Sequence, residues 1–169
     1  MVNSPNAQNN VDVPVSDIDR NAYEKTLNEM DKLAENLEEK GIDTLSIPSG
    51  SIGCETKNMG DSDRFGFIHV IPGNFAESFQ EFFEYDEYDK YDVYRNELQN
   101  NVYLLLSLYS NDNAKAVLLA GAYKIPEAKA LYNDSREEEC TFTHVQKLDR
   151  THLGSFKHFN FEKFFPKSV

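Results

Sequence analysis

The spacing of apolar residues changes several times along the chain, and each change predicts a different element. Between Ser16 and Gly41, apolar side chains recur at alternating steps of four and three residues, the period of an amphipathic helix: Tyr23, Leu27, Met30, Ala34 and Leu37. The Ser16 hydroxyl can cap this helix, Asp19 follows at the reciprocal capping position, and Gly41 suits its C-terminal end. Residues 1–15 show no periodicity and are predicted to form a flexible arm.

Beyond the first helix, the pattern is dominated by short apolar or alternating runs that predict strands. Residues 42–64 are rich in glycine and serine, and we expect a long loop there with one short strand at Thr44–Ile47. The main runs that follow are Phe65–Ile71, a segment beginning near Tyr91, Val102–Tyr109, Lys115–Tyr123 and Cys140–Leu148. Leu153–His158 is a further candidate that would pair with the last of them.

Two more helices are predicted between these strands, one after Asn74 and one near Pro126. Because short turns join several successive strands, we expect antiparallel pairing. The predicted fold is therefore α+β: a mostly antiparallel sheet of about five strands, with helices packed on one face and an amphipathic N-terminal helix. Residues 16–169 are expected to form a single domain.

Charge and composition exclude several classes of function. The 169 residues include 29 acidic and 17 basic side chains, and the net charge of −12 disfavours nucleic acid as a partner. No apolar run approaches the about 18 residues that a membrane span needs. The first ten residues lack the basic and apolar regions of a signal peptide, and the chain has only two cysteines, Cys54 and Cys140. These features favour a cytoplasmic protein.

The charge is unevenly distributed. Residues 77–97 carry eight acidic and two basic side chains, interleaved with a tyrosine at every third position from Tyr85 to Tyr94. Such a surface would suit a decoy that imitates nucleic acid, or the recognition of a basic partner. Residues 141–169 instead carry five basic and two acidic side chains. The remaining 140 residues therefore carry a net charge of −15, and the boundary between this acidic body and the basic C-terminal segment is where we expect a site.

Motifs for metal, phosphate or nucleophile chemistry are missing. Gly50-Ser51-Ile52-Gly53 lacks the Lys-Ser/Thr of a phosphate-binding loop, and the chain has no GxSxG. Cys140 and His144 share one face of a predicted strand, but four residues of strand separate them by roughly 13 Å. That distance is too long for one tetrahedral zinc ion. We therefore predict no metal and no cofactor.

Several sequence blocks in the second half of the chain form a recognisable pattern: EYDKYDVYR (Glu87–Arg95), VLLAGAY (Val117–Tyr123), FTHVQKLDRTHLGSFKH (Phe142–His158) and EKFF (Glu162–Phe165). With them the chain resembles a family of small haloarchaeal proteins known only as a domain of unknown function. The resemblance implies an archaeal, cytoplasmic protein adapted to high salt, and it implies no activity or catalytic residue. In molar salt the Debye length is about 3 Å, so an acidic surface repels itself little.

Two classes of function fit these observations. One is a non-enzymatic interaction or regulatory domain, acting through a homodimer or another protein. The other is a small-molecule-binding protein or an enzyme that uses a Tyr/His/Arg site. The candidate binding residues are Tyr91, Tyr94, Arg95, His144, Arg150 and His158. A deep pocket that gathers Tyr94, His144 and Arg150 would favour the second class, and a self-complementary surface would favour the first.

Overall fold

The computed structural model describes residues 18–59, 64–84 and 86–169. Within these ranges the chain forms three α-helices: α1 (Arg20–Glu39), α2 (Ala76–Phe83) and α3 (Ile125–Glu138). The strands are β1 (Asp43–Ser51), β2 (Gly53–Glu55), β3 (Gly66–Val70), β4 (Lys90–Leu98), β5 (Asn101–Tyr109), β6 (Lys115–Lys124), β7 (Thr141–Gln146) and β8 (His152–His158). Short 3-10 turns lie at Gly73–Phe75 and Phe161–Phe164. None of the helices in the described ranges is long and apolar enough to cross a membrane.

The strands form two four-stranded sheets. Sheet A has the order β1-β6-β5-β4, and sheet B has the order β2-β3-β7-β8. The α+β class is confirmed, and four of the six strand pairings are antiparallel. The prediction of one sheet with about five strands needs correction, because the described residues form eight strands in two sheets. Each sheet contains one parallel pair, β1 with β6 and β3 with β7, and such distant pairings leave no turn signal in the sequence.

Strand β1 accounts for much of the difference. It occupies the nine residues Asp43–Ser51, more than twice the length of the strand predicted in this segment. Its sequence Pro48-Ser49-Gly50 resembles a turn, but the register shift between Pro48 and Gly50 shows that it forms a β-bulge against β6. Gly121 lies opposite the bulge, and a Cβ there would approach the Ser49 Oγ to 2.7 Å. The glycine thus allows β1 to lie close to β6.

The N-terminal helix is confirmed, with a shifted start. Helix α1 begins at Arg20, and the Asp19 carboxylate accepts a hydrogen bond from the Ala22 N–H at 3.1 Å. Asp19 is therefore the N-cap itself. Ser16 and the predicted arm, residues 1–15, lie outside the described residues. The predicted apolar stripe faces sheet A, where Met30 and Leu37 pack on Leu105, Leu118 and Ala120.

Sheet A is the central layer of the molecule. Alternate residues of β5 and β6 face α1, and the residues between them, such as Leu104 and Leu119, face sheet B. Both strands are therefore buried along almost their whole length, which explains their continuous apolar runs. Between the sheets, the Phe67 ring lies 5.2 Å from the rings of Tyr123 and Phe165, measured between ring centroids.

A line of buried hydrogen bonds crosses all three layers at the β1 bulge. The Tyr23 hydroxyl of α1 accepts from the Gly50 N–H at 2.9 Å and donates to the Ala120 carbonyl at 3.3 Å. The Ser49 Oγ donates to the same carbonyl at 3.0 Å and lies 2.8 Å from the His69 Nδ1 of sheet B. Since each of these polar groups is buried, the network ties α1, sheet A and sheet B into one arrangement.

Candidate functional site

The six predicted site residues lie in four different places. Tyr91 and His158 come together although they belong to different sheets, and their ring centroids are 4.5 Å apart. Tyr94 and Arg95 lie beside a groove between α1 and β4. His144 lies on the outer face of sheet B, and Arg150 is exposed in the turn between β7 and β8.

Tyr91 borders a cleft that we call the junction cleft, with a volume of about 590 Å³ and the lining residues Asp89, Tyr91, Lys157, Phe159 and Asn160. Its lining residues come from both sides of the boundary between the acidic body and the basic C-terminal segment, where a site was expected. The Tyr91 hydroxyl accepts a hydrogen bond from the Asn160 N–H at 3.0 Å. The Phe159 side chain is 73% exposed, and the Lys157 Nζ lies 4.8 Å from the centroid of its ring. The cleft thus combines an exposed aromatic ring with both signs of charge.

His158 lies beneath this cleft in the core. Its ring contacts the rings of Tyr91 and Phe164, and its Nε2 lies 2.8 Å from the Thr143 Oγ1. Burial lowers the pKa of His158 to about 3, so the ring is neutral near pH 7. In this position His158 supports Tyr91 from below and does not line the junction cleft.

The second concave surface is the groove between α1 and β4, with a volume of about 400 Å³. Helix α1 covers β1, β6 and β5 but leaves β4 open, so the groove has Tyr103 and Leu105 at its floor and Tyr94 on one side. Tyr94 is 48% exposed. Arg95 also lines the groove, and its Nε donates to the Phe165 carbonyl at 3.2 Å. The groove is therefore open along the edge of sheet A.

A chain of hydrogen bonds leads to His144 across the outer face of sheet B. An Arg64 N–H donates to the His152 Nδ1 at 3.0 Å, and the His152 Nε2 lies 3.1 Å from the Ser155 Oγ. The Ser155 Oγ lies 2.7 Å from the His144 Nδ1, and the His144 Nε2 lies 2.8 Å from the Phe65 carbonyl oxygen. We call this the His–Ser–His chain. Of its side chains, only His144 is among the six predicted site residues.

The two histidines of this chain are neutral. Burial lowers the pKa of His144 to about 4, and burial also lowers the pKa of His152. The positive charge of Arg64 acts in the same direction on both rings. Near pH 7 each imidazole therefore has one N–H donor and one nitrogen that accepts.

The two cysteines form no reactive centre. Cys54 and Cys140 are free thiols, and burial raises the pKa of Cys54 to about 12. Burial likewise raises the pKa of Cys140, so both sulfurs stay protonated and weakly reactive. In the part of the chain that the structure describes, no three His, Cys, Asp or Glu side chains gather as metal ligands would.

Comparison with known proteins gives one match. A family model described as a family of unknown function, DUF7529, matches residues 13–166. Comparisons with curated proteins and with solved structures give no match. The expected membership in a family of unknown function is thereby confirmed, whereas archaeal origin and salt adaptation stay predictions. Since the match covers almost the whole chain, the protein belongs to the DUF7529 family.

Proposed function

We propose that the protein is an interaction domain that works as a homodimer, joined through the free edge of β4. The observation that carries this proposal is the position of β4 at the edge of sheet A, with nine residues of which most are exposed. A long edge strand has unpaired backbone groups and can pair with another strand. Pairing with the β4 of a second copy would make one continuous sheet of eight strands.

The backbone of β4 is arranged for such pairing. The turn between β4 and β5 has two residues, and Leu98 pairs with Asn101 across it. Residues that flank such a turn form a hydrogen-bonded pair, and bonded pairs then alternate along the strands. Consequently the N–H and C=O groups of every second residue point away from β5, namely those of Tyr91, Val93, Arg95 and Glu97.

Charge favours one register for the antiparallel pair. A two-fold axis at Tyr94 places Tyr94 opposite its own copy, Val93 opposite Arg95, and Tyr91 opposite Glu97. If one β4 strand shifts by two residues along the other, Arg95 lies opposite the Arg95 of the second copy. If it shifts by two residues in the other direction, Glu97 lies opposite Asp89. Like charges directly opposite each other are destabilising, so both alternatives are disfavoured.

Exposed apolar side chains support the same surface. Tyr94 is 48% exposed and Leu98 is 39% exposed, and both lie on the face of β4 that looks towards α1. In the favoured register, Tyr94 meets the Tyr94 of the second copy and Leu98 lies beside the aliphatic part of Lys90. The dimer would cover both side chains and join the two α1–β4 grooves into one trough.

The rival function, a Tyr/His/Arg site for a small molecule, has less support. Such a site was expected to gather Tyr94, His144 and Arg150 in one pocket. The three residues lie on β4, on the outer face of sheet B and in the β7–β8 turn, and no contact joins any two of them. The decoy function has equally little support, because Tyr88 is buried and Tyr91 is half-buried.

The first test is the mass of the protein in solution. Sedimentation equilibrium in 1 M KCl is expected to show a reversible dimer of about 39 kDa, twice the chain mass of 19.4 kDa. Tyr94→Lys places two positive charges at the two-fold axis and should give a monomer at the same concentrations. Phe159→Lys is the matched control, since it changes another exposed aromatic residue and should leave the dimer intact. A wild-type monomer at 100 µM would refute the proposal.

Cross-linking tests the register. Opposite residues in a non-bonded antiparallel pair have Cα atoms about 4.5 Å apart, which suits a disulfide. Tyr94→Cys is therefore expected to form a covalent dimer on mild oxidation, as seen on a non-reducing gel. Asn96→Cys is the control, because Asn96 lies opposite Asp92 in this register. Equal cross-linking of the two variants would exclude the register.

We also propose that the acidic surface is an adaptation to high salt. The ion pairs found among the described residues engage Glu55, Asp86, Glu137 and Glu138, a small part of the 29 acidic side chains. The exposed side of α1 adds further carboxylates without such partners, for example Glu35 and Glu39. In dilute buffer these charges repel one another and destabilise the compact state.

Added salt is therefore expected to stabilise the protein strongly. Raising KCl from 0.1 M to 2 M should increase the Tm by about 10 °C, because screening removes the repulsion between surface carboxylates. Circular dichroism during heating measures this change, with an equal osmolality of sucrose as the control. An unchanged Tm in KCl would contradict salt adaptation.

A further inference from the structure

The Ser155 side chain occupies an unusual position between two imidazole rings. Ser155 is half-buried on β8 and lies directly opposite His144 of β7 in the antiparallel register. The register shift leaves Leu153 as an extra residue in β8, which forms a bulge. The bulge changes the face of the sheet to which the His152 side chain points. Without the bulge, His152 and Ser155 would point to opposite faces of the sheet. The bulge instead brings the His152 Nε2 to 3.1 Å from the Ser155 Oγ.

The groups at the two ends of the His–Ser–His chain, Arg64 and the Phe65 carbonyl, fix the direction of every hydrogen bond in it. Arg64 can only donate, so the His152 Nδ1 accepts and the neutral ring has its proton on Nε2. The Phe65 carbonyl can only accept, so the His144 Nε2 donates and its Nδ1 has a lone pair. The His152 N–H therefore donates to the Ser155 Oγ, and the Ser155 O–H donates to the His144 Nδ1.

This direction matches the geometry of an activated nucleophile. The hydroxyl points its proton at an unprotonated imidazole nitrogen 2.7 Å away, and a third group, the Phe65 carbonyl, orients that imidazole. A nucleophile and base within hydrogen-bond reach, with the base held by a third group, is the arrangement that serine and cysteine enzymes share. The N–H of His152 would in addition stabilise negative charge on the Ser155 oxygen.

Two basic side chains, Arg64 and Lys157, lie on the same outer face of sheet B as this hydroxyl. Arg64 lies at one end of the chain, 3.5 Å from the Glu55 carboxylate. Lys157 lies two residues along β8 on the same face as Ser155, and its Nζ is 6.0 Å from the centroid of the Phe142 ring. An ammonium group in this position can approach an oxygen that becomes negatively charged when Ser155 attacks an acyl or phosphonyl centre.

We propose that Ser155 is a reactive nucleophile that takes up the acyl group of an ester, with His144 as its base. The Ser155 oxygen forms a bond to the carbonyl carbon while its proton moves to the His144 Nδ1. The bond from that carbon to the leaving oxygen then breaks, and the leaving oxygen takes the proton from His144. The products are an acylated Ser155 and an alcohol. This reactivity goes beyond the interaction proposed above and does not depend on the dimer.

An alkyl fluorophosphonate tests the proposal directly. With this probe the Ser155 oxygen bonds to phosphorus, fluoride leaves, and His144 passes the proton to water. Mass spectrometry of peptides from the folded wild-type protein at pH 7.5 is expected to find the label on Ser155. Ser155→Ala should remove it, and Ser78→Ala should not, since Ser78 is another half-buried serine and forms no hydrogen bond with an imidazole among the described residues. An unlabelled Ser155 would overturn the proposal.

His144→Asn tests the base. An amide oxygen in place of Nδ1 can still accept from the Ser155 hydroxyl but cannot take its proton. Labelling of Ser155 is expected to slow about a hundredfold, the usual contribution of a general base. Circular dichroism shows whether this variant is folded; if it is not, the comparison of wild type, Ser155→Ala and Ser78→Ala decides. A folded His144→Asn variant that reacts as fast as wild type would exclude His144 as the base.

Discussion

Acidification from pH 7 to pH 5 is expected to lower the free energy of unfolding by about 6 kcal/mol. Three buried histidines cause this effect. Burial lowers the pKa of His69 and His158 to about 3 and that of His144 to about 4. The described partners of the three rings are hydroxyls and a carbonyl, so no carboxylate compensates a charge on any of them.

The sign follows from proton linkage. In the unfolded chain each histidine has a pKa near 6.5, so below that pH the unfolded state binds protons that the folded state does not. The stabilisation is complete above pH 6.5 and is lost as the pH falls towards 3–4. Each ring contributes about 1.9 kcal/mol between pH 7 and pH 5. The sum is a large part of the about 5–15 kcal/mol by which most domains are stable.

Urea denaturation at a series of pH values measures this dependence. The chain has no tryptophan, so circular dichroism is the suitable signal. Molar KCl keeps the titration of surface carboxylates from dominating the result. His158→Gln should reduce the pH slope by about one third. Lys167→Gln, an exposed charge change, is the control and should leave the slope unchanged. A stability that stays constant from pH 7 to pH 5 would show that the rings titrate normally.

Replacing Gly66 by alanine is expected to destabilise the protein by about 4 kcal/mol or to prevent folding. Gly66 begins β3 with a φ of +138°, a backbone conformation that residues other than glycine rarely adopt. A Cβ at this position would lie 2.5 Å from the Phe142 carbonyl oxygen and 2.9 Å from the Phe142 Cβ. The first of these is a backbone atom of the adjacent strand β7, so relief requires the two strands to move apart.

Gly73→Ala is the matched control for this substitution. Gly73 has an ordinary φ, and a Cβ there would meet no atom within 4 Å. We expect its Tm to stay within about 2 °C of wild type and that of Gly66→Ala to fall by 10 °C or more, about the shift that 4 kcal/mol produces in a chain of this size. Similar Tm values for the two variants would mean that β3 and β7 can separate at little cost.

Short sequence patterns correctly predicted the helices and strands whose buried faces can be identified from the spacing of their apolar residues. The apolar stripe of α1 and the continuous runs of β5 and β6 report directly which faces are buried. At the bulge in β1 the local pattern is misleading. Pro48 and Gly50 are typical of a turn, but long-range pairing with β6 holds the segment extended. The division into two sheets depends on the same distant pairing, which short windows of sequence do not contain.

The contacts at the candidate sites likewise divide into those that depend on local sequence and those that depend on distant pairing. The two strands that hold His144 and Ser155 were predicted as a hairpin, but their register was not. Gln146 pairs with His152 next to the turn, and only the bulge beside Leu153 then sets Ser155, instead of Gly154, opposite His144. The contact of His152 with Ser155 was not predictable, because it depends on the bulge beside Leu153. Tyr91 and His158 meet only because β4 of sheet A and β8 of sheet B pack together.

The parallel pairing of β1 with β6 has a consequence for how the protein is made. Asp43 pairs with Lys115, so β1 leaves the ribosome long before its partner is synthesised. Until then α1 has no complete sheet to cover, and its apolar stripe stays exposed to water. The nascent chain therefore passes through a period in which it is open to aggregation and to chaperone binding, and this period ends when β6 is released. A ribosome-bound chain that ends before β6 is the form in which α1 should be most sensitive to protease.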